Sequence, residues 1–196
     1  VALAPTGSTA KQSSLKLDIL DQPLAAKVTW SEDLMDGGNF LHHLTRELMR
    51  VTTCEPRIVT YLLPDEPQQY LSTFFTRLNE LRGVVFIGYT HRCNRAALNR
   101  SILSHRRAYP RIDFRFAPNV HTKLYTYQTL SYTGARLVEN SRTWWVGSQN
   151  LYASHTLNLM YKVPSKDHLP CQQLLSHVAA ISTKTLPRGT VSTPET

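Results

Sequence analysis

PNVHTKLYTY, Pro118–Tyr127, is the stretch from which the fold is read most directly. Thr122–Tyr127 reads as a strand, and His121 and Lys123 stand two apart where that strand begins. Side chains at i and i+2 of a strand share a face, so this spacing puts an imidazole beside an ammonium. Further along, WWVGSQN (Trp144–Asn150) runs an apolar strand, Thr143–Val146, into Gly147, Ser148 and Asn150. Glycine lets a ligand approach the backbone, and Ser and Asn supply neutral donors.

Outward from these motifs the chain alternates between two periods. RIVTYLL (Arg57–Leu63), bounded by Pro56 and Pro64, and VVFIGY (Val84–Tyr89) read as strands, as do Arg111–Phe116 and Leu157–Val163. Helices are predicted over Asn39–Met49, where Leu41, Leu44 and Leu48 recur after an Asp36-Gly37-Gly38 cap signal, and from Pro67, where Leu71, Phe74, Phe75 and Leu78 share a face up to Gly83. A basic helix is predicted over Asn94–Arg107 and a last one over Leu169–Ile181, started by Pro170. Strand and helix alternate in the first half and strands cluster in the second. The fold class is therefore α/β, a mixed β-sheet flanked by helices on both faces. Residues 1–14 read as a flexible arm, 15–182 as a single domain and 183–196 as a flexible tail, with no internal repeat and so one copy of any site.

Composition narrows the partners. Twenty-two Lys and Arg against fourteen Asp and Glu leave a formal charge of +8, which favours a polyanion, since neutralising phosphates releases condensed counterions. Arg92, Arg95, Arg100, Arg106, Arg107, Arg111 and Arg115 crowd the segment just before the His-Lys pair, against the single acid Asp113, and are the expected nucleic-acid backbone contacts. No apolar run is long enough to cross a bilayer, and no membrane partner is expected. Cys54, Cys93 and Cys171 are odd in number and widely spaced, which suits neither a disulfide framework nor a metal cluster and favours a reducing compartment. His42 and His43 are adjacent on a helix and share no face, so they do not suggest a metal site either. Trp144 and Trp145 point to opposite faces of their strand, so at least one is expected in the core rather than under a nucleobase.

A nucleophile, a fixed positive charge and two neutral donors form a set suited to attack on a phosphodiester. H-x-K, a strand, then G-S-x-N at the end of the next strand resembles the HKD motif of the phospholipase D superfamily, in element order across Arg57–Val163. The resemblance implies a phospholipase D-like fold and a catalytic set of His121, Lys123, Ser148 and Asn150, with His121 as the nucleophile that forms a phosphohistidine. It further implies Lys123 and Asn150 on the phosphate, a second histidine protonating the leaving oxygen, and no metal or cofactor. With one motif per chain, the second histidine is expected from a second copy, in a homodimer with one composite site; His155 lacks a lysine two residues on. The full family motif ends in Asp, where Gln128 stands here. A Glu is expected where Met160 stands in HTLNLMYKV, and Glu139 is the candidate substitute. The expected activity is that of a metal-independent nuclease, DNA more than RNA. The alternatives are a catalytically impaired nucleic-acid-binding relative and a lipid phosphodiesterase.

Overall fold

The computed structural model describes residues 34–50, 55–61, 63–90, 93–133, 136–152 and 158–186, with the backbone alone for 129–133 and 136–141. Its strands are β1 (Leu34–Asp36), β2 (Arg57–Thr60), β3 (Val84–Tyr89), β4 (Asp113–Pro118), β5 (Lys123–Thr133), β6 (Arg136–Gly147) and β7 (Leu159–Lys162). Its helices are α1 (Gly37–Arg50), α2 (Ser72–Glu80), α3 (Arg95–Ala108) and α4 (His168–Ile181). The strands form one seven-stranded sheet in the order β1-β7-β6-β5-β2-β3-β4. β2, β3 and β4 run parallel, as strands joined through α2 and α3 must, whereas every other pairing is antiparallel. The mixed sheet expected from the sequence is thus present.

Both faces of the sheet are covered, because strand alternation gives each face its own apolar set. Ile58, Val85, Ile87, Phe114, Phe116, Tyr125, Tyr127 and Trp145 pack under Phe40, Leu44 and Leu48 of α1, Phe74, Phe75 and Leu78 of α2, and Ile102 of α3. Val59, Val84, Phe86, Leu124 and Trp144 face the other way, onto Cys171, Leu175 and Val178 of α4. The two tryptophans, each 1% exposed, are core on opposite faces. Truncating a buried tryptophan costs about 3–5 kcal/mol, which makes packing the larger reason for their presence.

Side-chain caps open two of the four described helices, α1 and α3. Asp36 Oδ1 accepts from the Gly38 and Asn39 N–H groups at 3.0 and 3.1 Å and opens α1, and Asn94 Oδ1 accepts from the Ala97 N–H at 3.0 Å and opens α3. The strand expected to reach Leu63 stops at Thr60 instead. The next backbone N–H, that of Tyr61, goes to the Asn150 side chain at 3.0 Å rather than to a neighbouring strand. β1, three residues long and paired with β7, carries too short a period to be read in advance. Thr183 exchanges backbone hydrogen bonds with Phe116, 2.8 and 2.9 Å, just past α4. The arm expected over residues 1–14 lies outside the described residues.

Candidate active site

The turn ahead of β5 sets the site. Asn119 takes a positive φ of 57° and its N–H donates to Tyr89 O at 2.7 Å, which folds Val120 back over the end of β3. Gly88 makes room for this: a Cβ there would stand 1.8 Å from the Val120 carbonyl oxygen. The chain then enters β5 with His121 exposed and Lys123 buried, 5% exposed.

Lys123 lies among polar and aromatic partners. Its Nζ donates to His121 O at 2.8 Å and stands 3.2 Å from His121 Nδ1. The ammonium also lies over the Tyr61 ring, 5.5 Å from its centroid, and the same ring packs against His121 at 4.4 Å. Burial strips water from the ammonium and pushes the Lys123 pKa down. When a charged Lys123 donates to Nδ1, the neutral imidazole carries its proton on Nε2, the tautomer of a proton donor. When Nδ1 carries the proton, the Nε2 lone pair is free to attack.

Strand register brings the second motif alongside. Lys123 pairs with Gly147 across β5 and β6, and Gly147 pairs with Met160 across β6 and β7. A Cβ on Gly147 would stand 2.0 Å from Leu159 O, so only glycine closes this end of β6 against β7. The Asn150 amide oxygen accepts from the Tyr61 N–H at 3.0 Å and Thr60 Oγ1 at 3.2 Å, while Thr60 Oγ1 accepts from the Leu151 N–H at 3.2 Å. The donating end of Asn150 is therefore its NH2 group. Gln149, 3% exposed, braces the loop by donating to the carbonyls of Asn150 and Tyr152 at 2.6 and 2.7 Å, and Tyr125 OH donates to Gln149 O at 2.6 Å.

Sequence-predicted residues separate at this point. His121, Lys123 and Asn150 are linked through Tyr61, whose ring touches the first two and whose N–H holds the third. Ser148 instead clamps β6 to β7. Its Oγ accepts the Leu159 N–H at 2.9 Å and its N–H donates to Leu159 O at 2.9 Å. Glu139 lies within β6 rather than in a loop. It pairs with Ser131 in the hairpin, eight residues from Gly147, or roughly 26 Å at strand rise. Met160, fully buried in the core, occupies the place beside Gly147. Tyr61 and Thr60 were missed; their signal was the end of the β-branched run RIVTY.

Six of the seven arginines are described, and they have different surroundings. Arg106 donates to Phe114 O and Lys184 O at 2.7 and 2.6 Å, and Arg115 pairs with Asp113 at 2.7 Å on the α4 face of the sheet. Arg100 and Arg107 are exposed on α3 and line a hollow with Asp65 and Glu66. Arg111 is exposed after α3, Arg95 lies 6.0 Å over the Tyr89 ring, and Arg92 falls outside the described residues. Among the described residues no three His, Cys, Asp or Glu side chains gather into a metal-binding group, and no helix is long and apolar enough to cross a membrane. Cys93 and Cys171 are free thiols, and Cys54 and His155 lie outside the described residues.

Fold and register define a mixed-sheet α/β domain of phospholipase D-like architecture. A polyphosphate kinase from Porphyromonas gingivalis, a member of the phospholipase D superfamily, has a similar fold, with a TM-score of 0.53 at 12% identity over 89% of this chain and 33% of that one. The chain thus spans about a third of that kinase, and the likeness is one of fold. TrmBL2, an archaeal chromatin protein whose structure shows a novel mode of DNA binding, aligns with a TM-score of 0.43 at 10% identity over 90% of this chain and 62% of that one. No protein-family model and no curated protein matches the sequence.

Proposed function

We propose that the protein is a metal-independent phosphodiesterase acting on nucleic acid through a phosphohistidine, with a site shared across a homodimer. The observation that carries this reading is the buried Lys123 ammonium, 3.2 Å from Nδ1 of an exposed His121 and beside the Asn150-bearing loop. His121 Nε2 attacks phosphorus, forming the N–P bond as the P–O bond to the leaving oxygen breaks. That oxygen takes the proton of the partner subunit's His121, and water then hydrolyses the N–P bond with the same group as base. Lys123 and the Asn150 NH2 group stabilise the charge that builds on the equatorial oxygens. An arriving phosphate draws the ammonium off Nδ1, which frees the ring to switch tautomer.

The net charge of +8 and the exposed Arg100, Arg107 and Arg111 favour a polyanionic substrate. The test is incubation with labelled DNA and RNA in EDTA, because histidine supplies the nucleophile and lysine the charge. Cleavage is expected to persist in the chelator and to vanish in His121→Ala; strict dependence on magnesium would overturn the reading. Binding without cutting would leave the impaired nucleic-acid-binding relative in its place.

A further inference from the structure

Beside the His121–Lys123 pair, outside the carboxyl ends of the parallel strands β2 and β3, Tyr61 also lines a cavity of about 210 Å3. Its floor is apolar or already satisfied. Leu63 and Gly88 are buried, Ala97 and Leu98 are half-buried, and the buried Ser101 hydroxyl donates to Pro64 O at 2.7 Å. The rim carries one acceptor, the Asp65 carboxylate, and one donor, the Asn94 NH2 group, whose amide oxygen is committed to the Ala97 N–H.

The lining excludes one class of occupant and favours another. Among the described residues no lysine or arginine lines the cavity, and Asp65 at the rim disfavours a phosphate. The site's buried cation, Lys123, lies over the same Tyr61 ring, 5.5 Å from its centroid. A ligand that uses both places has a neutral planar group with donors and acceptors on its edge, joined to a phosphate. The volume falls below the roughly 300–1,000 Å3 of sites for drug-sized ligands, which suits a single heterocycle.

We infer that this cavity receives one unstacked nucleobase, stacked on Tyr61, while the adjoining phosphodiester lies on His121 and Lys123. The inference rests on the phosphodiesterase reading and narrows it to substrates whose bases are already unpaired, namely single strands and frayed ends, because a paired base must first leave its stack.

The experiment compares a single-stranded oligodeoxynucleotide with an abasic strand of the same length and charge. KM is measured by cleavage, and Kd by anisotropy with the wild type and with His121→Ala. The wild type is expected to show a KM and Kd about tenfold lower for the base-bearing strand, the size of one base–aromatic stack. Ala97→Phe, which fills the cavity, is expected to abolish that difference while leaving the abasic-strand values and the melting temperature unchanged. Should Ala97→Phe fail to fold, Leu98→Ala, which widens the cavity, is expected to shrink the difference several-fold. Equal affinity for the two strands in the wild type, or a difference that survives these substitutions, overturns the inference. Cleavage without base dependence removes the cavity's role alone. Base-dependent binding without cleavage removes the phosphodiesterase reading and leaves the cavity standing.

Discussion

Lys123 is the residue on which the electrostatics of the site turn. It is 5% exposed, yet its partners are a carbonyl, an imidazole nitrogen and the face of a tyrosine, none of them an anion. A buried cation so placed is costly in the resting protein and well matched to an arriving phosphate. Lys123→Met is therefore expected to lower kcat by about 10²–10³-fold while leaving the melting temperature unchanged or higher. Asn150→Ala is expected to behave differently. It removes the proposed phosphate donor and also the acceptor for the Tyr61 N–H, so kcat and stability are expected to fall together, the latter by about 1–2 kcal/mol. Steady-state kinetics and thermal melts of the two variants separate these roles, and equal stability losses would show that Lys123 is structural.

At the scale of elements, α3 divides its work between its two sides. The buried side holds Ser101, Ile102 and His105, and His105 Nδ1–H donates to Ser101 O at 2.9 Å while its buried Nε2 has no partner among the described residues. Burial lowers the His105 pKa below the ordinary 6.5, against a smaller opposing effect of that hydrogen bond, and burial lowers that of His43 on α1 as well. As pH falls below 6.5 the unfolded chain takes up protons before the folded one does. This stabilisation is full above 6.5 and is lost as pH drops through the folded-state values. Urea denaturation across pH 7.5 to 5 is expected to show that decline, flattened in His105→Phe. On the other side, Arg106 ties β4 to the residues after α4, whereas Arg100 and Arg107 reach solvent. Arg106→Ala is expected to cost about 2 kcal/mol of stability. Arg100→Ala and Arg107→Ala are expected to keep stability and each to reduce the salt slope of nucleic-acid binding by about 1.

For the whole molecule, the decisive fact is one His-Lys motif in one seven-stranded sheet. In-line displacement through a phosphohistidine needs a nucleophile on one side of phosphorus and a proton donor on the other, and a single domain supplies one of them. In the proposed homodimer a two-fold axis through the site would supply the second, and isologous dimers are the commonest oligomers. Light scattering is expected to report twice the 22.3 kDa chain mass, and heterodimers of wild-type and His121→Ala subunits are expected to be largely inactive. A fully active monomer would require another acid within this chain.

Period and punctuation in the sequence were enough for the α/β class, the mixed sheet, the cap at Asp36 and the shared face of His121 and Lys123, because these depend on neighbours a few residues apart. That Trp144 and Trp145 face opposite sides of the sheet was legible for the same reason, whereas the burial of both followed from the helices on each face. Only tertiary structure decided what depends on residues distant in the chain. Tyr61 ends β2 because Asn150, some ninety positions away, takes its N–H, and that makes it the link between the motifs. Ser148 Oγ accepts a β7 backbone N–H, Glu139 lies eight residues along β6 from Gly147, and the described arginines divide between carbonyls, Asp113 and solvent. Composition counts charges, but the side of the sheet each one reaches is set by register and packing.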